Sequence, residues 1–217
     1  MKIEHLKEKT QLAKVDEFPE YAKFPFERFN PPQTVVLDWF DKDINMGIAA
    51  ATSSGKTCIG EMFLAHEVRI RGGKGMYIGT HKALVQEKLD DWTDADHHFS
   101  DLNISICSGD YQLTDARKKE LAQANLIVMT SEMLSSRCRN FKSEKNNFLL
   151  EIRTVICDEA HLLTVPGRGD HLEVALMKIV EINPDIRIVL LSATMPNVSE
   201  LCEWMSSLNN KDTYFLN

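Results

Sequence analysis

The sequence has no long apolar run, little cysteine and no surplus of positive charge. Its apolar stretches, such as residues 188–191, are far shorter than the roughly 18 residues that a membrane span needs, and its charged N-terminus lacks the apolar core of a secretion signal. The five cysteines are at least 19 residues apart, which excludes paired metal-ligand spacing and is typical of free thiols in a reducing compartment. We therefore expect an intracellular protein, cytoplasmic or nuclear, without membrane association.

Net charge narrows the choice of partners. The 217 residues carry 25 Lys and Arg against 32 Asp and Glu, a formal charge of −7, which argues against a general polyanion binder and restricts any nucleic-acid contact to a local patch. With 43% hydrophobic and 26% charged residues the composition is that of a globular protein, and the length suits one α/β domain.

Short apolar segments alternate with helical patterns along the chain. Strands are predicted at residues 47–51, 76–79, 104–107, 126–129, 155–157 and 186–191, and helices at 56–71, 82–92, 114–123, 131–140, 170–181 and 198–207. Apolar strands that are each followed by a helix indicate an α/β fold, a doubly wound, mostly parallel sheet with helices on both faces and ligands at the carboxyl ends of the strands. Residues 1–30, charged and then rich in Phe and Pro, are predicted to form an N-terminal arm on a domain of residues 31–217.

A phosphate-binding loop is predicted between the first of these strands and its helix. Residues 50–57 read Ala-Ala-Thr-Ser-Ser-Gly-Lys-Thr, so small residues precede a lysine and a hydroxyl at the start of a helix. Lys56 would reach the β- and γ-phosphates of ATP, and the Thr57 hydroxyl would ligate Mg²⁺. Ala50 stands where such loops usually begin with Gly, and the alternative interpretation is a Ser/Gly turn that caps a helix. The residues expected to bind the nucleotide here are Ala51, Thr52, Ser53, Ser54, Gly55, Lys56 and Thr57.

Two adjacent carboxylates follow the apolar strand at 155–157. Asp158, at the end of a strand, can hold Mg²⁺, and Glu159 can orient or deprotonate an attacking water. The simpler alternative, acids that cap the next helix, does not account for a pair that ends a buried strand and is followed by Ala160 and His161. We therefore predict that Lys56 and the two carboxylates form the catalytic centre of an ATPase.

The tetrapeptide Asp-Glu-Ala-His at residues 158–161 resembles the signature of superfamily 2 helicases, and further motifs follow the order found in their first RecA-like domain. These motifs are the Gln-containing segment 29–33, segment 80–88, segments 108–111 and 130–132, and Ser-Ala-Thr at 192–194. Within this superfamily, the chain is most similar to the Ski-type group and, within that group, to archaeal Hjm-type repair DNA helicases. Four local features carry this similarity: Pro-Pro-Gln, Thr-Ser-Glu, Arg168-Gly169 with Glu173, and the segment from Pro196 to Trp204. The resemblance covers about residues 25–215.

This resemblance implies roles around the nucleotide. Gln33 is expected to read the adenine edge of ATP, while His161, Ser192 and Thr194 couple the nucleotide site to domain movement, so that His161 joins the catalytic set. Each residue has a simpler alternative, which is a surface amide for Gln33, a core histidine for His161 and helix caps for the two hydroxyl residues. Phe29 is expected to lie either against the base or in the core.

The resemblance also implies contacts to the backbone of single-stranded or forked nucleic acid, with DNA favoured over RNA. Lys82, Thr130 and Ser131 are the residues expected to make them, through hydroxyls, N–H groups and charge. Further basic candidates are Arg117, Lys118, Lys119, Arg137 and Arg139. The run 117–119 is interpreted as a solvated face, because most charge runs are.

The expected protein is the ATP-binding domain of a nucleic-acid-dependent ATPase, with ATP and Mg²⁺ as cofactors, from a 3′-to-5′ DNA helicase. A Ski-type RNA helicase domain and a non-unwinding ATP-dependent binding or regulatory module are the alternatives. Helicases of this family draw an arginine from a second RecA-like domain, and the sequence ends at Asn217, where that domain should begin. We therefore expect the chain alone to bind ATP but to hydrolyse it slowly.

Overall fold

The structure, a computed structural model, describes residues 1–51, 54–107, 114–165 and 169–217, apart from the side chain of residue 145. In these ranges the strands are β1 (Ile3–His5), β2 (Asn45–Ala49), β3 (Lys74–Gly79), β4 (Ile104–Cys107), β5 (Leu126–Thr130), β6 (Ile152–Cys157), β7 (Arg187–Ser192) and β8 (Thr213–Leu216). The helices are α1 (Pro31–Val36), α2 (Lys56–His66), α3 (Lys82–Thr93), α4 (Asp115–Gln123), α5 (Ser131–Arg139), α6 (Gly169–Ile182) and α7 (Val198–Asn209). No helix in the described ranges is long and apolar enough to cross a bilayer.

The strands of the described ranges form one sheet in the order β1-β8-β2-β7-β6-β3-β5-β4, and every neighbouring pair is parallel. Ile48 lies opposite Leu191, and Cys157 lies opposite Leu190, so the ends of β2, β7 and β6 meet at one edge of the sheet. The predicted doubly wound α/β fold is confirmed, with a sheet that is parallel throughout. Its short outer strands are β1 and β4.

Helices cover both faces of the sheet, which is why its central strands are apolar along their whole length. One face is packed by α1, α2 and α3, with Phe63 and Trp92 in its apolar cluster. The other face is packed by α5, α6 and α7, with Leu134, Leu176 and Cys202 in its cluster. All of these side chains are buried. The two clusters hold the strand ends, and therefore the loops that follow them, in fixed positions.

Residues 1–30 lie against the first face and the sheet edge. Phe18, Phe24 and Phe29 are buried in the same cluster as α2, and Phe24 meets the other two rings edge to face. β1 pairs in register with β8, with Ile3 opposite Thr213. Neither of these two strands was predicted from the sequence, because each is too short to show a periodicity and their pairing joins segments that are distant in sequence.

The helix predicted at 56–71 changes its geometry part-way. α2 ends at His66, and Glu67–Arg71 continue as a π-helical turn. The turn places the Glu67 side chain inside, 1% exposed, where it accepts a hydrogen bond of 2.8 Å from the Thr154 hydroxyl. The first predicted strand also differs, since β2 ends at Ala49 and residues 50–51 already belong to the following loop.

A fully buried arginine joins the elements around this carboxylate. Arg187, at the start of β7, donates hydrogen bonds to the carbonyls of Phe40 and Phe63 and to the Thr154 hydroxyl, and its guanidinium lies 3.4 Å from Glu67 Oε2. Burial lowers the pKa of Arg187 to about 10, against the opposing effect of Glu67. Because its partners come from β6, α2 and the segment after α1, this one side chain fixes the first face onto the sheet.

Candidate active site

The loop between β2 and α2 is shaped around one glycine. Gly55 has a φ of +62°, and a Cβ atom at this position would lie 2.3 Å from Gln33 Nε2. Only glycine accommodates both the backbone conformation and this close approach. The amide of Gln33 donates a 3.1 Å hydrogen bond to the Gly55 carbonyl, and Ser54 N–H donates to the Ala51 carbonyl at 2.9 Å. Thr52 and Ser53, which were predicted to bind phosphate, lie outside the described residues.

Lys56 begins α2 and folds back over the loop. Its side chain is buried, with the residue 6% exposed, and its ammonium donates hydrogen bonds to the Ala50 carbonyl at 2.8 Å and to the Ala51 carbonyl at 3.1 Å. Both of these partners are neutral carbonyls, so they hydrogen-bond the ammonium without neutralising its charge. A buried cation at a helix N-terminus favours an anion, and a phosphate group fits this position. Thr57 follows at the next position of α2.

The acidic pair lies directly after β6, as the sequence predicted. Asp158 accepts a 2.6 Å hydrogen bond from the Tyr77 hydroxyl of the neighbouring strand β3 and a 2.9 Å bond from the Glu159 N–H. Burial and the Asp158 charge raise the pKa of Tyr77, so that this phenol is held in its donating form. Glu159 has a φ of +52°, a left-handed conformation that costs about 1–2 kcal/mol for a residue with a side chain. The strained backbone turns the chain from the strand end into the 3₁₀ turn Ala160–Thr164.

Ser192, the last residue of β7, connects the phosphate loop with the acidic segment. Its carbonyl accepts a 3.0 Å hydrogen bond from Ala50 N–H, and its hydroxyl oxygen lies 3.2 Å from His161 Nδ1. The hydroxyl proton points to the Thr194 carbonyl at 3.0 Å, so His161 Nδ1 acts as the donor towards Ser192. The same Nδ1 lies 3.1 Å from Glu159 Oε2. The structure thus brings together four of the residues predicted for catalysis and coupling, Glu159, His161, Ser192 and Thr194.

Gln33 is not a surface amide, because it is buried at 4% exposure. Its side-chain oxygen accepts from Asn30 N–H at 3.0 Å, which closes a capping box at the start of α1. The residue lines a cleft of about 640 Å³ whose other walls include Phe24, Phe26 and Thr57. Of the two positions expected for Phe29 the structure supports the core, since this ring is fully buried.

The residues predicted to contact nucleic acid lie farther along the same edge, where β3 and β5 end. A groove of about 380 Å³ is lined by Thr80, His81, Lys82 and Thr130, together with Cys107 at the end of β4. A neighbouring groove of about 290 Å³ shares Thr80 and His81 with the first and extends past Ser131 to Glu159 and His161. The two grooves therefore form a continuous path from the predicted strand contacts to the acidic segment.

Two further predictions concern basic side chains and short motifs. The guanidinium of Arg117 donates hydrogen bonds to the Ile106 carbonyl and to Glu120, and Lys118 pairs with Asp115. The bond to Ile106 joins α4 to β4, whereas the other two pairs lie within α4. Arg117 and Lys118 are half-buried and Lys119 is exposed. The motif at 108–111 and Arg168 lie outside the described residues.

The comparisons with known proteins place this arrangement in a family. Residues 30–201 match the DEAD/DEAH box helicases. The chain belongs to this family. The ATP-dependent DNA helicase Hel308 of Methanocella arvoryzae is 37% identical over 170 residues, which cover 75% of this chain and 21% of the relative. The ATP-dependent DNA helicase MER3 homolog of Oryza sativa subsp. japonica is 34% identical over an alignment of 230 positions, which covers 93% of this chain and 19% of the relative.

This helicase domain spans about a fifth of the length of these two curated relatives. Two solved structures share its fold. The DEAD-box helicase Mss116 bound to ssRNA and UDP-BeF matches with a TM-score of 0.78 at 18% identity, over 100% of this chain and 47% of that chain. The Pyrococcus furiosus Hef helicase domain matches with a TM-score of 0.65 at 18% identity, over 85% of this chain and 37% of that chain. The predicted resemblance to a first RecA-like domain of superfamily 2 is confirmed.

Two features of the helicase domain were not predicted from local sequence patterns. The first is Tyr77, whose bond to Asp158 depends on β3 and β6 being neighbours, which no local pattern reveals. The second is a group of donor side chains formed by Glu61, His97 and His98 at the wall of the 640 Å³ cleft. The adjacent histidines were visible in the sequence, but their partner on α2 was not.

Proposed function

We propose that this chain is the Mg-ATP-binding domain of a nucleic-acid-dependent ATPase and that it forms part of a 3′-to-5′ DNA helicase. The observation that carries the proposal is the position of Ser192, whose carbonyl contacts the phosphate loop and whose hydroxyl contacts His161. Because Ser192 contacts both segments, a shift of either one changes its contacts with the other. Coupling of the nucleotide state to movement of the nucleic-acid strand requires such a connection.

The side chains along this edge fit a nucleotide and its metal ion. The buried ammonium of Lys56 and the N-terminus of α2 would hold phosphate oxygens. Thr57 and Asp158 offer the oxygen ligands that Mg²⁺ prefers, and bound Mg²⁺ would neutralise phosphate charge. Glu159 would orient the attacking water, and Gln33 lines the cleft in which the base would lie.

The proposed strand site is the path of two grooves that leads from Lys82 and Thr130 to His161. Contacts from hydroxyls, helix N-termini and N–H groups suit a sugar-phosphate backbone and give little base specificity. DNA is proposed as the substrate rather than RNA because the relatives that are 34–37% identical are named as DNA helicases.

Catalysis by the chain alone is proposed to be slow. An arginine that reaches the transferred phosphate accelerates related reactions by about 10³–10⁵-fold. In this proposal that arginine comes from a second RecA-like domain of the longer protein, in line with the small fraction of the relatives that the chain spans.

The test combines calorimetric titration of Mg-ATP with steady-state hydrolysis measured without a strand, with single-stranded or forked DNA, and with single-stranded RNA. Lys56→Ala should weaken ATP binding about 10–100-fold, because it removes charge-assisted hydrogen bonds worth about 1.5–3 kcal/mol. Glu159→Gln should abolish hydrolysis and keep ATP binding. Lys178→Ala, which changes an exposed lysine of α6, is the matched control and should change neither.

The outcomes separate the alternatives. Stimulation of a slow hydrolysis by DNA supports the proposal, whereas stimulation by RNA alone would replace it with an RNA helicase domain. ATP binding without any turnover by the chain alone agrees with a motor domain that lacks its second domain, whereas the same result for the full-length protein would favour a regulatory binding module. Full motor rates from the chain alone would refute the need for a second domain. The direction of unwinding is measured by comparing duplexes with a 3′ or a 5′ overhang as substrates of the full-length protein.

A further inference from the structure

Three side chains form a compact group on the wall of the 640 Å³ cleft that Gln33 and Thr57 also line. Glu61 projects from α2, and His97 and His98 lie in the segment that joins α3 to β4. One donor atom from each lies within 4.8 Å of the other two. Glu61 and His98 are buried, with side chains 8% and 6% exposed, and His97 is 16% exposed.

Each oxygen of the Glu61 carboxylate faces one imidazole nitrogen. Oε1 lies 3.6 Å from His97 Nε2, and Oε2 lies 3.7 Å from His98 Nε2. These distances are too long for hydrogen bonds. They are close to the roughly 3.3 Å that separates two ligand atoms bound tetrahedrally to one ion with bonds of about 2.0–2.1 Å.

The tautomer of His98 leaves its other nitrogen without a hydrogen-bond partner. Nδ1 lies 3.0 Å from the Lys23 carbonyl, which can only accept, so Nδ1 carries the proton. Nε2 of the neutral ring then presents a lone pair to Glu61, and among the described residues this buried atom has no hydrogen-bond partner. Two facing lone pairs repel each other unless a cation lies between them. A ring that donates from Nδ1 to a carbonyl and is open at Nε2 is the usual arrangement of a metal-ligating histidine.

The position of the Glu61 carboxylate supports the same conclusion. The carboxylate of Glu61 is fixed by a 2.8 Å hydrogen bond from the Trp92 indole, which partly satisfies Oε1 and leaves Oε2 towards His98. Because the Trp92 indole is neutral, it leaves the negative charge of the carboxylate available to a cation.

We propose that Glu61 and His98 are two ligands of a transition-metal site, selective for Zn²⁺ over Mg²⁺, on the wall of the cleft. His97 would be the third ligand. Its Nδ1 accepts a 3.1 Å hydrogen bond from Phe99 N–H, so Nε2 carries the proton of the neutral ring. This proton must move to Nδ1, and the bond to Phe99 must be given up, before Nε2 can bind the ion. Water from the open cleft completes the coordination. Two imidazoles and one carboxylate are a ligand set that Zn²⁺ accepts and that Mg²⁺, which prefers oxygen, does not.

The proposal is tested by metal binding alone, without ATP or nucleic acid, so its failure would not bear on the proposed ATPase. The chain is stripped with a chelator and titrated with Zn²⁺ in the calorimeter, and with Co²⁺ in the spectrophotometer. We expect one Zn²⁺ per chain, retained in excess Mg²⁺, and visible absorption from Co²⁺ in a tetrahedral field. Glu61→Gln, which keeps an acceptor for Trp92, and His98→Gln should each weaken Zn²⁺ binding at least tenfold. His5→Gln, at an exposed histidine of β1, is the control and should leave it unchanged.

A second measurement needs no substitution and remains valid if either variant unfolds. Imidazole proton resonances of the intact chain are followed by NMR during the Zn²⁺ titration, and those of His97 and His98 should shift together at one equivalent. Equal Zn²⁺ affinity in all variants would overturn the proposal. So would Co²⁺ without visible absorption, or shifts confined to the other histidines.

Discussion

The hydroxyl oxygen of Ser192 lies 3.2 Å from His161 Nδ1, at the point where β7 separates the strand of the phosphate loop from the strand of the acidic pair. Since the His161 N–H also donates to this oxygen at 3.3 Å, a single hydroxyl holds both the backbone and the ring of that histidine. The position of His161 beside Glu159 therefore depends on a residue of a different strand.

Ser192→Ala should lower the turnover of strand-stimulated ATP hydrolysis. The two hydrogen bonds from His161 to this hydroxyl are lost, together with the one that the hydroxyl donates to the Thr194 carbonyl. Because each of the two His161 bonds is worth about 0.5–1.5 kcal/mol, we expect a decrease of about tenfold in kcat with the KM for ATP unchanged. Ser207→Ala, an exposed serine of α7, is the control. A rise in KM at constant kcat would show that Ser192 supports nucleotide binding and not coupling.

Comparing Gly55→Ala in the phosphate loop with Gly72→Ala after the π-helical turn separates the effect of backbone strain from that of steric crowding. Both glycines have positive φ, but a Cβ at Gly72 meets nothing within 4 Å, whereas one at Gly55 meets the Gln33 amide. Gly72→Ala should cost about 1 kcal/mol of stability and leave ATP affinity unchanged. Gly55→Ala should cost more and also weaken ATP binding, because Gln33 must release the Gly55 carbonyl. Urea unfolding and calorimetric titration measure both, and identical behaviour of the two variants would contradict this account.

Arg187→Met should be strongly destabilising. It leaves the carbonyls of Phe40 and Phe63 buried without this donor and removes the guanidinium that lies 3.4 Å from the Glu67 carboxylate. Breaking a buried ion pair from one side costs about 3–5 kcal/mol. The free energy of urea unfolding is the measurement. Lys178→Met on the exposed face of α6 should change it by less than about 0.5 kcal/mol. A loss of similar size in both variants would mean that the arginine network does not hold the first face.

Stability should decrease on mild acidification because of His66. Burial and neighbouring charges lower the pKa of this ring, and its Nδ1 lies 3.2 Å from the Tyr21 hydroxyl. The charged groups that act on it are Arg187, Arg71, Asp41 and Glu67. As the pH falls through 6.5, the unfolded chain binds a proton at this site before the folded chain does, so stability falls with it.

Replacing His66 should reduce the dependence of stability on pH. Burial raises the pKa of Tyr21 to about 12, so its hydroxyl is a donor, and the Gln oxygen of His66→Gln can accept in place of Nδ1. Urea midpoints between pH 7.5 and 5.5 should therefore change less in His66→Gln than in the native chain. The exposed His171→Gln should keep the native slope, and an unchanged slope in His66→Gln would assign the acid sensitivity to other groups.

The sequence predicted what local patterns encode. Buried strands such as β6 and β7 are apolar runs. The residues of the site at their ends belong to short motifs, and each motif can be recognised from its own sequence. Pairing between distant segments was not predictable, which is why β1, β8 and the Tyr77 contact were missed. Glu61 and His98 illustrate the same limit, since a donor on one helix and another on a distant turn meet only in the folded chain.

The two outermost strands of the sheet affect the tendency of the protein to associate through its sheet edges at high concentration. β1 has three residues and β4 has four, so neither presents a long template for another chain. The Arg117 guanidinium occupies the Ile106 carbonyl of β4, which removes one acceptor that an incoming strand would use. A parallel sheet of this size would otherwise be prone to edge-to-edge association. Within the described residues, the short outer strands and the Arg117 side chain therefore limit pairing of the sheet edges with another chain.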